Sequence, residues 1–263
     1  MDIACHTWNF HDLMLPEAFG TIARLGFRCV DIAPSPAKAA ANPRRMAAEI
    51  LDDLNTYRLR VTDLLILLPR ISLADSCEKD VETFAALLPL ATELRAPGVT
   101  VSPGVQQEDA FERVCGALAA MVAAGKAAGL RVSIEAQPDS MAQTPEAALR
   151  LLDAVPGLEL TLDWANFVYQ RAAHEAIAAL LPRTRHVQIR QAAPGKLQTP
   201  FEQGKIDLGR VVEALVSANY GGAVCVELVN VAGRHGIVAV SPARESARLR
   251  DALRDLYRAK TSG

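Results

Sequence analysis

No two cysteines in this 263-residue chain form a CxxC pair; Cys5, Cys29, Cys77, Cys115 and Cys225 are odd in number and widely scattered. That excludes a cysteine zinc clip and a disulfide framework, and reads as buried thiols in a cytoplasmic protein. There is no run of like charge and the formal net charge is −2, so the basic footprint of a nucleic-acid binder is missing. Low-complexity tracts and apolar stretches of membrane-spanning length are also absent, which argues against a membrane protein. The opening MDIACHTWNF lacks the basic-then-apolar order of a secretory leader. No linker-like stretch divides the chain, so residues 1–263 are expected to form a single domain.

What the chain does have is a regular alternation. Short β-type runs fall at 3–6, 29–32, 60–66, 98–102, 131–137, 158–164, 185–190 and 223–228, with longer amphipathic or Ala/Leu-rich segments between them. Helices are predicted over 16–26, 44–57, 110–129, 144–155 and 241–259, the last opening with Ser241 as N-cap and Pro242 in its first turn. Gly26, Gly129 and the Asn219-Tyr220-Gly221 run stand where helices should stop. Eight β/α repeats in about 250 residues is the size of a single (β/α)8 TIM barrel. A doubly wound open sheet is the alternative, but it usually carries a glycine-rich phosphate loop after its first strand. Here His6-Thr7-Trp8-Asn9-Phe10 follows instead.

In a parallel barrel one face of each strand meets the outer helices and the other points inward, and the pleat separates the two sets. Val132, Ile134 and Ala136 form the apolar set of the fifth strand, leaving Ser133, Glu135 and Gln137 inward. By the same parity Thr161 and Asp163 face in from the sixth strand. His186, Gln188 and Arg190 face in from the seventh, and Cys225 and Glu227 from the eighth. Four consecutive strands thus send Glu135, Asp163, Gln188 and Glu227 toward the C-terminal rim, where barrel enzymes build their sites. Three carboxylates sharing one space need raised pKa values or a cation. Three carboxylate oxygens and an amide oxygen make a hard site, suited to Mn²⁺ or Mg²⁺ more than zinc, with Co²⁺ or Ni²⁺ as in vitro substitutes. His186 is expected to bond a ligand carboxylate from behind, and Arg190 at the rim to hold a substrate oxygen or carboxylate. The stretch 191–207 is long for a βα loop and reads as a lid, bringing Lys196 and Gln198 toward a polyhydroxy substrate. Segment 230–240 is expected to close the other side, with His235 as its contact. His6 and Trp8 are expected to form one wall of the pocket. The bland readings are a buried structural histidine at position 6, a filler glutamine at 188, an Arg190 salt-bridged to a ligand carboxylate or to Glu202 in place of substrate, and solvated loop residues at 196 and 235.

At this point the chain resembles the xylose isomerase-like TIM barrels, the sugar isomerase/epimerase superfamily. The segments that carry the resemblance are EAFGTIARLGFRCVDI, IEAQ, LTLDWANF, RHVQIRQAAPGK and GGAVCVEL. The resemblance implies that Glu135, Asp163, Gln188 and Glu227 bind a divalent metal, and that Glu135 and Glu227 exchange a proton with the substrate. The HVQ run, with Gln188 in place of a more usual histidine, is similar to the HIQ run of hydroxypyruvate isomerase. Two departures bear on substrate choice: Asn166 stands where many members have His, and Arg190 where many have an acid. Gln137 and Asn166 join the expected substrate contacts. The activity implied is isomerisation or epimerisation of a small sugar or sugar acid through an enediolate. A dehydratase or C-glycoside-cleaving subunit on the same scaffold is the first alternative, and a non-catalytic carbohydrate-binding barrel the second. A phosphodiesterase of this fold would need a histidine-rich zinc cluster and a basic face, and the chain has five histidines and no basic run. Partners are a small carbohydrate and, since similar barrels are often dimers or tetramers, further copies of the chain.

Overall fold

A computed structural model describes residues 1–229, 231 and 233–261. Eight parallel strands close a barrel in chain order, each pairing with the next and β8 returning to β1. The strands are β1 (Asp2–His6), β2 (Cys29–Ile32), β3 (Arg60–Ile66), β4 (Gly98–Val101), β5 (Arg131–Glu135), β6 (Glu159–Asp163), β7 (Thr184–Ile189) and β8 (Ala223–Val226). Around them run α1 (Leu15–Arg24), α2 (Pro36–Ala41), α3 (Pro43–Tyr57), α4 (Cys77–Glu93), α5 (Phe111–Ala127), α6 (Pro145–Ala154), α7 (Trp164–Tyr169), α8 (His174–Ala178), α9 (Leu208–Ser217) and α10 (Pro242–Thr261). The closed barrel replaces the open-sheet alternative. The short α2, α7 and α8 carry no apolar period long enough to be seen in the sequence.

The outward strand face is the main core. Val132, Ile134, Leu160, Leu162, Val187, Ile189, Val224 and Val226 are all buried against the helices. Each stabilises the fold by roughly 1.5–3 kcal/mol relative to exposure. Helix entries are set locally. Thr144 caps α6 by accepting from Ala147 N (3.2 Å) ahead of Pro145, and Asp207 caps α9 by accepting from Arg210 N (3.1 Å). At Gly125 a Cβ would lie 2.4 Å from Val132 Cγ2, so only glycine lets α5 sit this close to β5, the strand that carries Glu135.

The barrel interior is polar, and two β-bulges make it so. The β2–β3 register slips between Val30 and Asp31, and the β6–β7 register slips between Leu160 and Thr161. The residues passed over are Thr62 and Arg185. Each bulge turns two consecutive side chains into the interior. Thr62 donates to Asp31 Oδ1 (2.6 Å), and Asp63 accepts from Thr100 Oγ1 (2.5 Å). Arg185 donates from Nη2 to Asp63 Oδ1 (2.6 Å) and Ser133 Oγ (2.7 Å), while His186 Nε2 meets Asp31 Oδ2 at 2.6 Å. The hydroxyls of Thr100, Ser133 and Thr161 complete this floor through contacts of 2.7 Å to Thr161.

Candidate active site

Above the floor, the C-terminal ends of β5 to β8 bring Glu135, Asp163 and Glu227 together, with carboxylate oxygens within 4.8 Å of one another. Glu135 ends β5, Asp163 ends β6, and Glu227 directly follows β8. Gln188 sits between them on β7, in register with Asp163 on one side and Cys225 on the other. All four are buried.

Each acid is held by named partners. Glu135 accepts from Gln137 Nε2 at Oε2 (2.9 Å) and from Asn166 Nδ2 at Oε1 (3.2 Å). Asp163 is also the N-cap of α7, accepting from Ala165 N at Oδ1 (2.9 Å). Arg190 donates from Nη1 to Asp163 Oδ2 (2.5 Å), and the same nitrogen stands 3.5 Å from Glu227 Oε2. Asn166 is a two-sided bridge: its amide nitrogen serves Glu135 and its Oδ1 accepts from Arg190 Nη2 (2.8 Å).

Burial dominates the electrostatics. The Glu135 carboxyl is pushed up to about 7 by burial and then by the charge of Asp163, with Arg190 pulling the other way. Burial, followed by the charge of Glu135, raises Glu227 well above the ordinary carboxylate range. Asp163 is raised by burial against the opposing pull of Arg190. The cluster therefore demands positive charge or protons.

A cavity of about 230 Å³ opens onto Glu135 and Glu227, lined also by Trp8, Gln137, Asn166, Arg190 and His235 among others; Asp163 and Gln188 lie outside its lining. It is smaller than the usual drug-sized pocket of roughly 300–1,000 Å³ and matches a small ligand. Trp8 and an aliphatic set including Leu65, Leu67, Leu197 and Val229 form its apolar wall.

The other residues expected at the ligand divide between the cavity, the barrel floor and the surface. His186 bonds Asp31 and no acid of the rim, because the bulge at Arg185 sets it in the floor. Burial alone would push its pKa down, but the charge and hydrogen bond of Asp31 raise it. Arg190 is not extended to the rim; it is buried and engaged by Asp163, Asn166 and the Leu197 carbonyl (3.2 Å). Gln198 is buried and works as a clamp: it accepts from Val229 N (2.7 Å) and donates to the Val229 (2.7 Å) and Val238 (3.2 Å) carbonyls. It thus ties the loop after β7 to the segment after β8. Lys196 is exposed and lies outside the cavity lining. His235 does line the cavity, with Nδ1 3.2 Å from Tyr169 Oη and Nε2 3.3 Å from Asp139. Within segment 230–240, Asn230 and Ala232 lie outside the described residues.

His6 is fully buried and sits behind the cavity wall, not in it. Its Nδ1 accepts from Trp8 N (2.9 Å), so in the neutral ring the proton is on Nε2, 3.9 Å from Glu227 Oε1. Burial lowers its pKa from 6.5 to about 4, against the pull of Asp31 and Asp63 and with His186 adding to the depression. The unfolded chain then binds the extra proton between pH 6.5 and 4, and stability falls as pH drops through that window. The full effect is roughly 3 kcal/mol. His6→Asn keeps an acceptor for Trp8 N and removes the titration. Urea unfolding from pH 7 to 4 should show a flatter profile for the variant; coincident profiles would assign the loss to other groups.

Asn9 was not legible as a site residue. It donates to the Val226 carbonyl (3.1 Å) and accepts from Leu228 N (2.7 Å), so it grips the backbone on both sides of Glu227. Its one signal in the sequence is a lone amide between Trp8 and Phe10.

Fold and site together define a (β/α)8 barrel with an acidic centre at its C-terminal mouth. A family model described as xylose isomerase-like TIM barrel matches residues 19–256, and the chain belongs to that family. No curated protein sequence matches it. Among solved structures it is similar to an L-ribulose 3-epimerase at 18% identity, covering 98% of this chain and 95% of that one, with a TM-score of 0.78. A D-psicose 3-epimerase from Clostridium cellulolyticum H10, described with D-tagatose, matches at 13% identity, with 98% and 99% covered and a TM-score of 0.77. The probable 3-DHS dehydratase AsbF from Bacillus anthracis matches at 15% identity, with 95% and 99% covered and a TM-score of 0.76. At these identities the likeness establishes the fold. No helix among the described residues is long and apolar enough to cross a membrane.

Proposed function

We propose that this chain is a divalent-metal-dependent isomerase or epimerase of a small sugar or sugar acid, acting by proton removal next to a carbonyl. The observation that carries this reading is the convergence of three buried carboxylates from β5, β6 and β8, two of which, Glu135 and Glu227, line the cavity. The donor set fits a hard cation. The side-chain oxygen and nitrogen of Gln188 are buried with no hydrogen-bond partner among the described residues, and the amide oxygen completes an all-oxygen set with Glu135, Asp163 and Glu227. Held there, Mn²⁺ or Mg²⁺ would supply Lewis-acid polarisation of the substrate carbonyl.

The chain's own groups do the rest. Glu135 and Glu227 act as the base and acid, one taking the proton from the carbon beside the carbonyl and the other returning one. Return to the opposite face gives epimerisation, and return to the adjacent carbon gives isomerisation. Gln137 and Asn166 orient the Glu135 carboxylate, and Asn9 fixes the backbone on both sides of Glu227. Trp8 and the aliphatic wall cover the apolar face of a sugar ring or chain and keep water from the enediolate. The ketose 3-epimerases among the structural neighbours support a ketose as substrate.

The test is incubation of the protein with Mn²⁺ or Mg²⁺ and a panel of pentuloses, hexuloses and their acids in deuterium oxide. The expected product carries one solvent deuterium at the inverted or newly protonated carbon and has lost no water. Loss of a β-hydroxyl would instead assign a dehydratase, as one structural neighbour is described to be. Failure of every compound to exchange would overturn the enolising reading.

A further inference from the structure

The carboxylate cluster already contains a permanent positive charge. Arg190 is 2% exposed, and its guanidinium is held from three sides: by Asp163 on β6, by Asn166 on α7, and by the Leu197 carbonyl in the loop after β7. A guanidinium stays protonated in proteins, and its planar fork fixes its place once three partners hold it. The contact falls on the donor atoms themselves. Asp163 Oδ2 is 2.5 Å and Glu227 Oε2 3.5 Å from the same Nη1, while Asp163 Oδ1 is taken by the Ala165 N–H. Both Asp163 oxygens are therefore engaged, and two of the three acids face a cation supplied by the chain. Gln188, on the strand between Asp163 and Glu227, carries no such cation: its buried amide has no hydrogen-bond partner among the described residues, which leaves its oxygen uncommitted.

We infer that Arg190 competes with a divalent ion for Asp163 and Glu227, and so sets the metal affinity of the site. This rests on the metal reading proposed above. A doubly charged ion sharing Asp163 with a fixed guanidinium is repelled by it, and the carboxylate that would pull the ion in has part of its charge cancelled beforehand. The guanidinium thereby lowers affinity for the ion without removing any donor.

The experiment is a calorimetric titration of the protein with MnCl2, comparing wild type with Arg190→Met, which keeps an unbranched apolar stem and removes the guanidinium and its charge. The variant is expected to bind Mn²⁺ at least about ten-fold tighter. Its melting temperature should also rise more on adding Mn²⁺ than that of wild type, since the released acids then depend on the ion for neutralisation. If Arg190→Met does not fold, Arg190→Gln, neutral but still a donor to Asp163, carries the same expectation. Equal or weaker binding by the variant would overturn the competition while leaving the metal reading standing. Absence of Mn²⁺ binding by both proteins would overturn the metal reading beneath it.

Discussion

Glu135→Gln and Glu227→Gln should each abolish substrate interconversion, with losses of about 10²–10⁴-fold in rate. The two losses should differ in kind. With one acid replaced, the other still meets one face of the substrate, so washout of the α-proton into solvent should survive from one epimer only. The complementary variant should keep washout from the opposite epimer. Each amide retains the length of the acid it replaces, and its oxygen still offers a ligand atom. A large drop in catalysis with an unchanged unfolding midpoint would therefore be chemical, not structural. Proton exchange followed by NMR in deuterium oxide separates the two faces. Interconversion surviving at near wild-type rate in either variant would remove that glutamate from the chemistry and leave the cluster as a binding site.

The largest stability effect is expected lower in the barrel. Arg185 and Asp63 are both almost fully buried and face each other at 2.6 Å, with Ser133 and Thr100 also receiving the guanidinium. Breaking a buried pair leaves the remaining charge uncompensated, which typically costs about 3–5 kcal/mol. Asp63→Asn keeps an acceptor for Thr100 Oγ1 but removes the charge and turns an amide NH2 toward Arg185, so it should lower stability by an amount in that range. Adding Arg185→Met removes the stranded guanidinium, and the double variant should recover most of the loss. Urea unfolding of the two single variants and the double closes the cycle. A cost under about 1 kcal/mol for Asp63→Asn would mean that Arg185 finds enough neutral acceptors among the floor hydroxyls.

The sequence carried the barrel because its strands obey a simple parity. Val132 and Ile134 against Ser133 and Glu135, or Leu160 and Leu162 against Thr161 and Asp163, separate the helix-facing set from the interior set without knowledge of the partner strands. Parity also brought Glu135, Asp163 and Glu227 to one rim, because parallel strands of a closed barrel share a C-terminal end. It failed at β7, where a strict period of two gives Arg185 the same side as Val187. The bulge there is a property of the pairing with β6, and nothing in TRHVQIR announces it. That slip explains why His186 serves Asp31 and not the acids above. Loop residues were least legible. Lys196 and Gln198 stand two apart in one lid-like stretch, yet one is exposed and the other is pinned between Val229 and Val238. Arg190 was placed on the correct face, but the direction of its long side chain depends on Asn166 and Leu197, contacts that only the folded chain supplies.

The hydroxyl and ion-pair floor has a consequence for traffic. A second cavity, lined by Arg60, Thr62, Arg185 and His186 among others, lies at the opposite end of the barrel, and it shares no lining residue with the cavity above the acids. The upper cavity is thus a blind well. Under the proposed reading, a substrate that enters this cavity leaves by the path along which it arrived. Outgoing product and incoming reactant then share one opening, and accumulation of either epimer slows turnover of the other.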